Sequence, residues 1–202
     1  FGQKNIFEKV KIVSPGEVKD HKFCIDFSKS GFSCARVFAI TIDDDRFDIK
    51  YVLTLLNSNL MKIFLQSFSS LKQGGFYSYS SNILNKTPIK KLNISEQKSF
   101  IELADILFNH ANEINIKQQR FIRRISETFE GIKITSKLEK FYELDYKEFL
   151  KEISKQKVKL SLSQKDEWEE YFLSYKSEIS KLQSDINQYN IQIDEMVYQI
   201  YD

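Results

Sequence analysis

The sequence predicts an α+β fold. A small mixed α/β domain covers residues 1–93, and an α domain follows over 94–202, built as a long-helix hairpin that is antiparallel and coiled-coil-like. Three observations predict it. Apolar residues alternate with period two through residues 1–42, and helical periodicity takes over from Ile49. The residues that interrupt helices then thin out: Pro88 is the last proline, and Gly131 is the one glycine after Gly75. Finally, Trp168, Phe172, Tyr175, Ile179, Leu182, Ile186, Tyr189, Ile193, Met196 and Ile200 alternate in steps of 4 and 3, an unbroken heptad seam.

Each element has its own signal. Lys9-Val10-Lys11-Ile12-Val13 alternates as a strand and meets a turn at Ser14-Pro15-Gly16. Phe23, Ile25 and Phe27 alternate with Cys24 and Asp26 before the loop Ser28-Lys29-Ser30-Gly31. The clearest strand is Ala35 to Ile42, ended by Asp43-Asp44-Asp45. Consecutive aspartates point in different directions, so these read as a solvated strand-to-helix turn rather than a metal site. A single helix is expected from roughly Ile49 to Phe68, with Val52, Leu55, Leu56, Leu60, Ile63 and Phe64 on its apolar face. The loop at Gln73-Gly74-Gly75 follows, and Ile83 to Leu92 should be extended.

From Ser95, read as an N-cap with Glu96 in the first turn, the chain is helical. Phe100, Ala104, Leu107, Ala111, Ile114, Gln118, Phe121 and Ile125 mark a helix of ~30 residues, about 45 Å long. Shorter helical pieces fill 131–164. The final seam needs a helical partner, either a second copy of the chain or the 95–128 helix. The intervening residues can return the chain, which favours the hairpin within one chain.

Charge is distributed unevenly. Net charge is +2, yet residues 1–93 hold 14 basic against 8 acidic side chains, and 94–202 hold 16 against 20. Between Asp48 and Glu96 no acid occurs, whereas Lys50, Lys62, Lys72, Lys86, Lys90 and Lys91 all do. An acid-free basic stretch suits a polyanion, since each carboxylate facing phosphate would offset a lysine. The alternative is a set of merely solvated lysines. Cys24 and Cys34 are expected reduced in a cytosolic core. No apolar run reaches the ~18 residues of a membrane span. The start, Phe1-Gly2-Gln3-Lys4, is expected to lie within a longer polypeptide.

No enzyme signature is present: neither a phosphate-cradling glycine loop nor a zinc-spaced Cys/His cluster occurs. His21 and His110 stand alone, and His110 reads as structural. Asp166-Glu167-Trp168-Glu169-Glu170 reads as a charged helix start. What remains is Lys72-Gln73-Gly74-Gly75-Phe76-Tyr77-Ser78-Tyr79-Ser80-Ser81-Asn82, a mobile turn beside donors, acceptors and flat rings. Such groups contact base edges, phosphates and sugars. The plain alternative is a hairpin turn leading into an edge strand.

Tyr51-Val52-Leu53-Thr54-Leu55-Leu56-Asn57-Ser58-Asn59-Leu60, then Gly74-Gly75-Phe76, then Thr87-Pro88-Ile89 resemble a known pattern. It is the Leu-Leu-Asn-Ser, Gly-Gly, Pro-Ile-Pro core of target recognition domains in type IIG restriction–modification enzymes and adenine-specific DNA methyltransferases, the TaqI-like C-terminal specificity region. Ile193-Asp194-Glu195-Met196-Val197-Tyr198-Gln199-Ile200-Tyr201 resembles the Ile-Asp-x-x-Val-Tyr-x-Leu-Tyr tail of the same proteins. Lys90 stands where the pattern has a second proline. The Asn/Asp-Pro-Pro-Tyr/Phe methyltransferase hallmark and a nuclease core are both missing from these residues.

The resemblance implies that residues 1–93 recognise double-stranded DNA and that 94–202 form a helical spacer. Methyl transfer to a target adenine and DNA cleavage would belong to upstream domains of the same cytoplasmic bacterial polypeptide, which would use S-adenosylmethionine and Mg2+. Catalytic and metal residues are expected to be none in this chain. Residue type assigns phosphate contacts to Lys62, Lys72, Lys86, Lys90 and Lys91, and base reading to Gln73, Tyr77 and Tyr79, with Lys29 or Arg36. Two alternatives stand beside this reading: a coiled-coil interaction module, and part of a type I specificity subunit.

Overall fold

The computed structural model describes residues 8–29 and 36–202. The chain falls into two compact units, one of residues 1–105 with 189–202 and one of 106–188. Each long helix contributes residues to both.

In the first unit, β1 (Lys11–Pro15) is the centre of an antiparallel sheet ordered β3-β1-β4, with β3 at Cys24–Asp26 and β4 at Val37–Ile40. The expected turn at Ser14-Pro15-Gly16 is not a reversal, because β1 stays paired through Pro15 opposite Val37. After Gly16 the chain enters β2 (Glu17–Val18), which belongs to a second sheet ordered β2-β6-β5. Gly16 joins the two sheets through its main chain, donating to the Arg36 carbonyl at 2.6 Å and accepting from the Tyr79 amide at 2.8 Å. A Cβ there would meet the Phe38 ring at 3.1 Å and the Arg36 carbonyl oxygen at 3.3 Å. Glycine permits this close approach of backbones.

The register pairs Lys11 directly with Asp26. Lys11 is fully buried, and its ammonium donates to Asp26 at 2.7 Å. That hydrogen bond, with help from Ser28, brings the Asp26 carboxyl down to about 2. Burying an ammonium without such a partner would be costly. Cys24 is exposed rather than part of a core, a correction that follows from its place on an edge strand. Cys34 lies outside the described residues.

The helix expected from Ile49 to Phe68 is two helices, α1 (Ile49–Asn57) and α2 (Asn59–Ser67). Ser58 breaks it. Its backbone is extended, its hydroxyl donates to Leu55 O at 2.7 Å, and the same oxygen caps Met61 N. Ser58 bonds locally and competes with the helix ladder, whereas the flanking Asn57 and Asn59 side chains turn away to Phe23 and Asp194. Asp48 caps α1, which buries Tyr51 through Leu56. These pack with Ile12, Phe23, Met61, Leu65 and Phe100 among the buried residues of the unit. The segment expected to be extended from Ile83 begins instead inside a helical turn, α3 (Ser81–Leu84), and straightens afterwards.

The long helix α4 runs Ile94–Thr128, and its cap is Asn93 rather than Ser95. Asn93 Oδ1 accepts from Glu96 N while Glu96 Oε2 accepts from Asn93 N, a reciprocal pair that satisfies two otherwise free donors. Gln97, fully buried, accepts from Asp48 N and donates to Arg46 O and Leu92 O.

The second unit contains the rest of α4, then α5 (Ser136–Glu139), a 3-10 turn at Phe141–Glu143, α6 (Tyr146–Ser154) and most of α7 (Leu162–Tyr201). Here α4 and α7 run antiparallel: Lys117 pairs with Glu178, and seven residues earlier on α4 His110 lies 3.8 Å from Asp185, seven residues later on α7. Around Phe121 the short helices fill out the core. The Phe121 ring stacks on Phe141 at 3.6 Å and meets Phe149 and Trp168 edge-on. Phe172, Ile125, Leu138 and Ile153 complete it. Of the heptad seam, Trp168, Phe172 and Ile179 are buried in this core and Tyr175 is half-buried against it.

Candidate nucleic-acid interface

One exposed feature of the first unit is a hairpin. β5 (Ser70–Lys72) pairs with β6 (Phe76–Ser78) in the register Ser70↔Ser78, Leu71↔Tyr77 and Lys72↔Phe76. Gln73, Gly74 and Gly75 form the tip, all exposed. Gly74 and Gly75 have φ of 84° and 80°, a left-handed backbone that explains the Gly-Gly pair. Gly75 N closes the turn on Lys72 O at 3.2 Å.

The candidate residues fall into distinct settings. Gln73 stands at the exposed tip, while Tyr77 is half-buried on the pleat face shared with Val18 and Leu71. Tyr79 is inside the unit, and no side chain of it reaches outward. Its hydroxyl lies 2.6 Å from His21 Nδ1, and His21 Nε2 lies 2.5 Å from Leu56 O. A carbonyl only accepts, so Nε2 carries the proton and Nδ1 accepts from Tyr79. Burial pushes His21 below its ordinary value, consistent with a neutral ring, and pushes Tyr79 up to about 12. This pair anchors the end of β6 to α1.

The cations stand on several elements. Lys62 lies on α2, Lys86 follows α3 with its ammonium 5.9 Å from the Phe68 ring, and Lys90 and Lys91 occupy the extended segment before α4. All four are exposed. Lys29 follows β3 with a left-handed φ of 56°. Arg36 and Lys72 are brought together by a residue that the sequence did not single out, Glu17, whose carboxylate lies between them at 3.9 and 2.6 Å. No composition signal marks Glu17; its position follows only from the β2–β6 register.

Main-chain clamps hold this surface. Asn57 bonds both the N–H and C=O of Phe23, as a neighbouring strand would. Tyr51 OH donates to Lys90 O at 2.8 Å, and Tyr201 OH accepts from Lys90 N at 3.0 Å while donating to Pro88 O at 2.5 Å. Asp194 accepts from both the backbone and the side-chain amide of Asn59, at 2.7 and 2.6 Å. The Leu-Leu-Asn-Ser-Asn, Thr-Pro-Ile and Ile-Asp-x-x-Val-Tyr segments thus converge on one scaffold. Asp43 and Asp44 are engaged by Lys9 and Arg46, and no group of three or more metal-ligating side chains occurs among the described residues.

Comparison with known families decides what this scaffold is. Residues 2–89 match the family model of the TaqI-like C-terminal specificity domain. This chain carries a TaqI-like specificity domain. The specificity domain contains the hairpin, the Gly16 junction and the α1–α2 break, and makes the chain a DNA-binding, target-recognition part of a restriction system. Residues 93–197, just over half the chain, match a second model described as a domain of unknown function (DUF8810), and the chain belongs to that family. No curated protein matches the chain. Among the described residues no helix is long and apolar enough to cross a membrane.

Proposed function

We propose that this chain binds duplex DNA at a particular sequence and presents a target adenine to methyltransferase and nuclease domains upstream in the same cytoplasmic polypeptide. Those domains would supply the S-adenosylmethionine and Mg2+ chemistry. The observation that carries the reading is the β5–β6 hairpin of the specificity domain, with Gln73 at an exposed glycine tip and exposed lysines on the neighbouring elements. Phosphate contacts made by Lys62, Lys86, Lys90 and Lys91 hold the duplex in register, and the tip reads base edges. An adenine buried in a duplex is reached only by rotating it out of the stack, so a recognition part must hold the flanking pairs firmly. Helical support of the scaffold through Asp194 and Tyr201 serves that rigidity.

The test is selection from a pool of random-sequence duplexes with the full chain, followed by sequencing of the bound fraction. Enrichment of one common sequence is expected. Salt-dependent binding that enriches no sequence, or no binding at all, would overturn the proposal.

A further inference from the structure

The β2-β6-β5 sheet carries a mixed-charge array on one pleat face. Glu17 is opposite Ser78, Ser78 is opposite Ser70, and Lys72 is opposite Phe76, so parity puts Glu17, Ser70, Lys72, Phe76 and Ser78 on the same side. Two of these side chains, Glu17 and Lys72, meet there. Lys72 Nζ donates to Glu17 Oε1 at 2.6 Å, and Arg36 approaches Glu17 Oε2 at 3.9 Å. Backbone geometry places Arg36 there, because its carbonyl accepts from Gly16 N beside Glu17. The Lys72 hydrogen bond, then its charge, and to a lesser degree Arg36, hold the Glu17 carboxyl below its ordinary value. All three side chains remain open to water, at 37% exposure for Glu17, 47% for Lys72 and 78% for Arg36. Exposed ion pairs contribute little to stability, so stability does not account for the arrangement.

Its chemistry matches a base pair. In the major groove a G·C pair offers guanine O6 and N7 as acceptors beside the cytosine N4 amino donor. A cationic donor next to a carboxylate acceptor is the complement of that edge. We propose, resting on the reading of this domain as a DNA-recognition part, that Glu17 and Lys72 form a specificity-determining pair that reads one G·C base pair. Glu17 accepts from cytosine N4, and Lys72, supported by Arg36, donates to guanine. Away from such a pair, the carboxylate keeps both cations occupied and restrains sequence-independent binding to phosphate.

The experiment selects bound sequences from a random duplex pool with the full-length chain and its Glu17→Ala, Glu17→Gln and Lys72→Met variants, with Glu102→Gln as a control acid outside the array. Circular dichroism confirms that each variant is folded. Glu17→Ala should lose the preference for G·C at one position of the selected sequence and keep the others. It should also bind random duplex more tightly, roughly eightfold per released cation near 0.1 M salt, with a steeper salt slope. Lys72→Met should lose the same position, whereas Glu102→Gln should change nothing. A steeper slope with an unchanged selected sequence would make Glu17 a simple electrostatic restraint and overturn the assignment. So would losses at different positions for Glu17→Ala and Lys72→Met. Failure of the wild-type chain to select any sequence is a separate outcome, which overturns the recognition reading itself.

Discussion

Asp194, near the end of the chain, caps the helix that begins at Asn59: one carboxylate oxygen accepts the Asn59 amide N–H at 2.7 Å and the other its side-chain amide at 2.6 Å. The partners are 135 residues apart in sequence. A carboxylate at a helix N-terminus satisfies a free donor and meets the positive end of the helix dipole.

Replacing Asp194 by alanine should therefore destabilise the first unit by about 0.5–2 kcal/mol, the range for loss of a side-chain acceptor at a helix N-terminus. Urea denaturation followed by circular dichroism measures it. The asparagine variant, which keeps one acceptor, should lose less. Equal stability of Asp194→Ala and wild type would mean that the carboxylate only decorates the helix.

His21 gives a pH dependence with a definite sign. Burial, reinforced by the charge of Lys62 and opposed by the Leu56 hydrogen bond, holds its folded-state pKa below the ordinary 6.5. Between the folded value and 6.5 the unfolded chain binds the extra proton, so stability rises with pH through that window. Acidification below about 6.5 should lower the urea midpoint, and His21→Gln should flatten that part of the profile. A midpoint that rises on acidification in this range would contradict the neutral, doubly bonded ring.

The aromatic core of the second unit gives a larger effect. Phe121 is fully buried among Phe141, Phe149, Trp168 and Phe172. Phe121→Ala should cost about 3–5 kcal/mol through lost burial and the cavity it leaves. Loss of near-ultraviolet dichroism from the packed rings, at a lower denaturant concentration than in wild type, would register it.

The parts of this fold that repeat were legible from sequence, and the parts fixed by single hydrogen bonds were not. Heptad spacing from Trp168 onward identified α7, and its antiparallel pairing with α4 follows from a shared period and a connection long enough to return. Ser58 was hidden because the apolar spacing of Val52, Leu55, Leu60 and Ile63 runs straight through the break; only the side-chain oxygen reveals it. Asn93 outcompeted Ser95 as the cap because Glu96 is placed to answer it three residues on.

At the interface, residue type suggested Tyr77 and Tyr79 together, and they do share a face by period two. What separates them is His21, 58 residues from Tyr79 in sequence, which draws that hydroxyl inside. Glu17 was invisible for the opposite reason. Its neighbours in sequence are unremarkable, and its meaning lies in the strand register that sets it beside Lys72.

The central claim is that this chain reads DNA, and a salt titration tests it most directly. The full chain is titrated against its selected duplex and a random one, alongside Lys90→Ala/Lys91→Ala and Gln73→Ala. The lysine variant leaves the clamps intact, because Tyr51 and Tyr201 bond the main chain of Lys90. It should weaken both duplexes equally and reduce the slope of log K against log salt by up to about 2. Gln73→Ala should instead narrow the gap between the duplexes by ~1–3 kcal/mol at an unchanged slope. Binding that ignores salt, or variants that all lose affinity without altering either slope or discrimination, would contradict the account.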